Sequence, residues 1–226
     1  MLYNKRDINE ADHFIGNLTN HLKLVKGARV WDLACGKGRH SVKLNSLGYT
    51  VVGTDLSSES IAEASKAANI TLDFFVHDMR TPFRINYFEA VLNLFTSIGY
   101  FSDQRDNFNV FQNVYNALKP NGVFVIDFFN SELVKSCLVP EAQEQRGEVT
   151  FTITKRVEEN KIVKHIRFCD KGKEYNFEEK VILYTLNDLL NYASKAGFVL
   201  QETFGNYDLM PFNQKGSDRL IAVFKK

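Results

Sequence analysis

Several things are scarce in this chain, and each scarcity excludes something. Cysteine occurs three times, as Cys35, Cys137 and Cys169, far apart and without C-x-x-C spacing. An odd, scattered set argues against a disulfide framework or a thiolate metal site and for reduced thiols, so no metal is expected. An excess of charge of one sign is missing too: 28 Lys and Arg stand against 27 Asp and Glu, for a net +1. No global field would then gather nucleic acid or an anionic membrane. No apolar run approaches the roughly 18 residues of a membrane span, and no signal peptide is evident. Repeats and low-complexity stretches are absent. What remains is 226 residues rich in Phe (19) and Tyr (9), enough for one domain plus a covering element. The expectation is a soluble cytoplasmic globule, monomer or homodimer, without nucleic-acid or membrane partners.

The most informative stretch runs Val30-Trp31-Asp32-Leu33-Ala34-Cys35-Gly36-Lys37-Gly38-Arg39-His40-Ser41. It reads as a buried strand that stops at a glycine turn and feeds a helix. Gly36 and Gly38 permit a tight turn and close approach of a ligand, and the helix N–H groups point at it. A nucleotide-like ligand at the C-terminal end of a first parallel strand is the expectation. The dinucleotide pattern G-x-G-x-x-G would need glycine at 41, where Ser41 stands.

The later strands refine this. A second strand ends at Asp55, 17 positions past Gly38, where an acid accepts hydrogen bonds from ribose hydroxyls in both dinucleotide and S-adenosylmethionine (SAM) folds. Leu56 follows it, and Ser57 is available to cap the next helix. A third strand runs into His77-Asp78-Met79, then Pro82-Phe83. A fourth, apolar strand from Phe88 carries Asn93 near its end and continues Phe95-Thr96-Ser97-Ile98-Gly99-Tyr100-Phe101. Residues 103–118, capped by Ser102, form a helix. The turn Lys119-Pro120-Asn121-Gly122 leads into a fifth strand.

D-L-A-C-G-K-G, the acid after the third strand and F-T-S-I-G-Y-F together resemble class I SAM-dependent methyltransferases of the small-molecule type, in the methyltransferase domain 25/11 group. The resemblance covers residues 28–130 well and 185–226 in outline. It departs at Ala34, where many members carry glycine, and in a short N-terminus. It implies an α/β, doubly wound Rossmann-like sheet of seven strands, order 3-2-1-4-5-7-6, with strand seven antiparallel. It implies SAM as cofactor, held by Asp32, Ala34, Gly36, Gly38, Arg39, Asp55, Leu56, Asp78, Met79, Asn93 and Phe95. In it Asp78 accepts from the adenine amine, and the backbone at Ala34 and Asn93 holds the methionine amine. The absence of N-P-P-Y or D-P-P-Y after the fourth strand argues against methylation of nucleic-acid bases.

Past the fifth strand the pattern switches to period two. Phe151, Ile153, Lys155 and Val157 alternate with Thr150, Thr152, Thr154 and Arg156, and two further alternating runs follow turns at Glu159-Asn160 and Lys171-Gly172. This predicts a three-stranded antiparallel meander over 147–184, a lid over substrate in preference to an oligomer interface. The implied organisation is a core over 1–146, the β insertion over 147–184, and a C-terminal helix and strand pair over 185–226. Arg156, His165 and Arg167 share one face of the meander.

The reaction expected is methyl transfer to a small-molecule nucleophile. An amine needs only to arrive unprotonated, whereas a hydroxyl would want a base. Tyr100, His165 and Tyr184 are the candidate bases, none of them unambiguous, which favours an amine. Tyr3, Arg6, Ser97, Tyr100, Arg167 and Arg219 are candidate substrate-binding residues. The alternatives are an NAD-dependent oxidoreductase, supported by Gly36, Gly38 and Asp55, and a SAM-binding protein without catalysis.

Overall fold

The computed structural model describes residues 8–226; Tyr3 and Arg6 lie outside the described residues. In chain order the first half comprises α1 (Ile8–His21), β1 (Arg29–Leu33), α2 (Arg39–Ser46), β2 (Thr50–Asp55), α3 (Ser58–Ala64), β3 (Leu72–Val76), β4 (Phe88–Asn93) and α4 (Gln104–Ala117). It continues with β5 (Leu118–Phe129), α5 (Ser131–Ser136), β6 (Glu141–Arg146), β7 (Val149–Glu158), β8 (Lys161–Asp170) and β9 (Lys173–Ile182). α6 (Leu186–Ala196), β10 (Val199–Phe204) and β11 (Arg219–Lys225) close the chain.

Seven strands form one sheet in the order β10-β11-β5-β4-β1-β2-β3. β1 to β5 run parallel; β11 is antiparallel to both β5 and β10. This is the expected order, with β10 and β11 as the sixth and seventh strands. Alternation along the central strands sends side chains to two opposite cores. Trp31, Val91, Phe124 and Phe128 pack on one side with Phe111 of α4 and Leu189 of α6. Val30, Ala90, Leu92 and Val125 pack on the other with Phe14, Ile15 and Leu18 of α1 and Leu44 of α2. Ala11, Phe14, Ile15 and Leu18 thus form the buried face of α1.

Local signals terminate the elements. Ser57 Oγ accepts from Ser60 N at 3.1 Å and starts α3. Thr185 and Asp188 form a reciprocal capping box at α6, and Gly197, at φ 103°, ends it. The cap of α4 is Asp103, one residue past the expected Ser102; its carboxylate accepts from Arg105 N at 2.8 Å. A carboxylate suits the positive end of a helix better than a hydroxyl does. The Lys119-Pro120-Asn121-Gly122 turn lies within β5 as a bulge. Phe88 pairs with Leu118 and Ala90 with Val123, so the extra residues loop out, with Asn121 at φ 65°.

The insertion is a separate antiparallel sheet, β6-β7-β8-β9, of four strands instead of three. β6 has the sequence EAQEQR, which lacks apolar alternation and so carries no strand signal of its own. It is recruited by pairing with β7, from Glu141↔Thr154 to Arg146↔Val149. The sheet is tied to the core where Ile182 N donates to Gly99 O at 2.8 Å.

Candidate functional site

At the C-terminal end of β1 the chain leaves the extended conformation at Ala34, which has φ 64°. Gly36 and Gly38 follow at φ 55° and 79°. Substitution of Gly38 is strained on two counts: its backbone is left-handed, and a Cβ there would stand 2.7 Å from the Phe74 ring. Asp55, at the end of β2, reaches across to this loop. Its two carboxylate oxygens accept from Gly36 N at 2.8 Å and Ser57 N at 2.9 Å. Beneath the loop Asp32 is buried, and Ser41 Oγ donates to it at 2.6 Å. Burial pushes the Asp32 carboxyl up to about 6 against the opposing pull of Ser41.

Two adjoining cavities open beside the loop, of about 200 and 740 Å³. They share Ala34, Asp55, Ser97 and Tyr100 and form one cleft at the ends of β1, β2 and β4. The smaller is walled by Leu56, His77, Asp78 and Met79. The larger runs from Gly36, Arg39 and Phe95 to the insertion sheet. Asp78 is gripped by Arg80, whose Nη2 lies 2.6 Å from it, and Arg80 also bonds Asp106 at 3.0 Å. Those hydrogen bonds hold the Asp78 carboxyl below the usual range.

The floor of the cleft is a strained segment. Phe95 and Thr96 are consecutive non-glycine residues at φ 58° and 63°. Buried Asp127 holds both: its carboxylate accepts from Phe95 N at 2.8 Å and its carbonyl from Thr96 N at 2.9 Å. Arg219, on the neighbouring strand, donates to Asp127 at 2.7 Å and to Thr96 Oγ1 at 3.2 Å. Phe95 is stacked on His40 at 4.8 Å and overlain by the Arg39 guanidinium at 5.2 Å. Burial depresses His40 to about 4, so its ring is neutral at physiological pH.

Residues 30–122 match the sequence profile of a family described as Methyltransferase domain. The chain is 35% identical over 112 residues to the putative methyltransferase YqeM of Bacillus subtilis (strain 168); the match covers 48% of this chain and 45% of that protein. It is similar over its whole length to the structure of a SAM-dependent methyltransferase from Clostridium acetobutylicum, with TM-score 0.84, 21% identity, and 100% and 94% of the two chains covered. The methyltransferase-domain match covers β1 to β4 and the turn within β5, and the fold as a whole is shared with that SAM-dependent methyltransferase structure. The matched span carries the glycine-loop side of the cleft. A further methyltransferase relative, from Streptomyces venezuelae, is named dTDP-3-amino-3,4,6-trideoxy-alpha-D-glucopyranose N,N-dimethyltransferase; it is 26% identical over 171 residues, covering 72% of this chain and 70% of that one. The match to YqeM spans about half of that protein's length.

Of the residues expected to hold cofactor or substrate, Ala34, Gly36, Arg39, Asp55, Leu56, Asp78, Met79, Phe95, Ser97, Tyr100 and Arg219 all line the cleft. Asp32 and Asn93 stand behind it, fully buried; Asn93 Nδ2 donates to Leu33 O at 3.0 Å. Gly38 lies at the turn against Phe74. Of the candidate bases, Tyr100 alone is in the cleft. Burial and the nearby Glu179 carboxylate push its phenol up, so it holds its proton. Tyr184 lies elsewhere, beside a separate cavity of about 110 Å³ near Asn130 and Phe212, and burial raises its phenol too. His165 sits 3.0 Å from Glu178. Its strand neighbour Lys164 lines the cleft, so His165 and Arg167 project from the opposite face. The insertion sheet instead presents Lys155, Lys164 and Glu179 to the cleft, which the sequence reading did not single out.

Proposed function

We propose that this chain binds SAM in the donor-side half of the cleft and transfers its methyl group to an amine of a small molecule. The carrying observation is one cleft with two unlike ends. At one end are the glycine loop and Asp55; at the other is a β insertion; between them no sequence-predicted base is poised to take a proton. The donor site fits its ligand in kind. Asp55 uses one bond per oxygen on its own chain, and a carboxylate has about four acceptor sites, so capacity remains for ribose hydroxyls. The smaller cavity offers Met79 and Leu56 as apolar walls for a flat ring, beside Asp78. Arg80 already occupies both Asp78 oxygens, so an adenine amine would share the carboxylate with that fork.

When bound, SAM supplies a methyl group already activated by its sulfonium. The chain's own work is then alignment. The rigid floor at Phe95 and Thr96 fixes the path between the two halves, and the insertion sheet covers it from water. A neutral Tyr100 donates or accepts a hydrogen bond without taking a proton. An amine acceptor fits that chemistry, and the amino-sugar N,N-dimethyltransferase relative supports it by name.

The deciding experiment is thermal unfolding with SAM, S-adenosylhomocysteine (SAH) or NAD, followed by SAH release assayed with amine and alcohol acceptors. At 100 times the dissociation constant a ligand stabilises by about 2.7 kcal/mol, a melting shift of roughly 5–10 °C at this size. A shift with both sulfur nucleosides and none with NAD is expected. A shift with NAD alone overturns the donor assignment, and SAH release with alcohols only overturns the amine.

A further inference from the structure

Lys155, Lys164 and Glu179 form a row across three strands of the insertion sheet. Lys155 is registered opposite Lys164, and Lys164 opposite Glu179. All three line the larger cavity, at the end away from the glycine loop. Like charges placed directly opposite on one face of a sheet destabilise it. Here the pair is also half-buried: the Lys164 side chain is 18% exposed, and its surroundings in the cleft include Ile162, Val181 and Phe129. Glu179 lies 3.7 Å from Lys164 Nζ. The next acid on the same face, Glu144 of β6, is engaged by Arg146 at 2.9 Å. Among the described residues Lys155 has no carboxylate within ion-pair distance. A sheet face that stabilised only itself would place its second lysine on the solvent side, where Arg156 stands.

We propose that Lys155 and Lys164 hold an anionic group of the methyl acceptor, a carboxylate or a phosphate. The substrate would then be an anionic amine, not a simple alkylamine or neutral amino sugar. This rests on the methyl-transfer reading above and deepens it. The anion docks on the insertion sheet, so the acceptor's nucleophile extends from it toward Tyr100 and Ser97 and the donor half. The methyl donor's own carboxylate belongs at the other end, by the glycine loop.

The test titrates inorganic phosphate and, in parallel, acetate into the wild type, a Lys155→Met/Lys164→Met variant, a Lys155→Arg/Lys164→Arg variant and a Lys171→Gln/Lys173→Gln control at the β8–β9 turn. Each protein is measured free and loaded with SAH, with circular dichroism to verify folding. The wild type is expected to bind at least one of the anions with SAH present. The methionine variant should bind it at least about tenfold more weakly, the loss of a charge-assisted contact, while the arginine variant and the control retain it. The stronger of the two anions identifies the group. Equal binding by the methionine variant, no binding by the wild type, or loss of anion binding when SAH is present would each overturn the proposal. Failure of SAH itself to bind the wild type would instead sink the methyl-donor reading; the anion comparison on the free proteins would still decide this one.

Discussion

The Ser41 hydroxyl donates to the buried Asp32 carboxylate at 2.6 Å, joining the end of β1 to the first turn of α2. A dinucleotide fold uses glycine at position 41 to bring helix and strand together. Here the same closeness is held by a polar bond. The arrangement leaves a carboxyl in the core with its pKa pushed up to about 6 by burial.

That carboxyl makes stability pH-dependent with a definite sign. A carboxyl whose folded pKa is raised binds its proton more tightly folded than unfolded. Its contribution is therefore most favourable below the ordinary value of 3.8 and declines as pH climbs to about 6, where it levels off. Asp32→Asn removes the penalty. It should stabilise the protein by up to about 3 kcal/mol at pH 8 and much less at pH 4. Urea unfolding at the two pH values checks this; a variant less stable at pH 8 contradicts the account.

The Asp127–Arg219 pair should behave in the opposite way. Both side chains are buried, and Arg219 is the cationic partner at 2.7 Å. Arg219→Met strands a carboxylate that also anchors the strained Phe95 backbone. A loss of about 3–5 kcal/mol is expected in chemical denaturation, with part of it recovered in Asp127→Asn/Arg219→Met. Additive losses in the double variant would mean that the two side chains act independently.

Tyr100 offers a test of the reaction. If its phenol acted as a general base, removing it would slow methyl transfer by about 100-fold or more. Because burial and Glu179 keep it protonated, Tyr100→Phe should lower kcat less than about tenfold and leave the shape of the pH–rate profile unchanged.

Gly38→Ala should be costly in both respects. It adds a Cβ at φ 79° and 2.7 Å from Phe74. A destabilisation of about 1–3 kcal/mol and loss of SAH binding by calorimetry are expected, since the loop must shift to accommodate it.

The core was legible because its signals are local. A strand ending at Gly36-Lys37-Gly38, an acid ending β2 and an acid after β3 each announce themselves within a few residues. The β6 strand was not legible: its polar sequence adopts the extended form only because β7 offers it a ladder. The acceptor end was half legible. Period two announces a strand with two faces, yet nothing in the sequence says which face meets the cleft. The alternation puts Arg156, His165 and Arg167 on one face, of which His165 and Arg167 were site candidates; the fold turns the other face, with Lys155, Lys164 and Glu179, toward the cleft. A register offset of one residue separates the two sets. The role of Asp127 was equally hidden: Phe95 and Thr96 meet it through the pairing of β4 with β5, and Arg219, 92 positions away, through the pairing of β11 with β5.

The walls of the cleft come from stretches of chain that do not overlap. Residues 33–101 supply the glycine-loop side, and most of the far side comes from residues 129–181, chiefly a sheet whose strands pair only with their neighbours in sequence. Such a sheet keeps its hydrogen bonds whatever side chains its inner face carries. Descendants of this chain could therefore exchange that inner face, three residues at a time, and acquire new acceptors while inheriting the glycine loop intact.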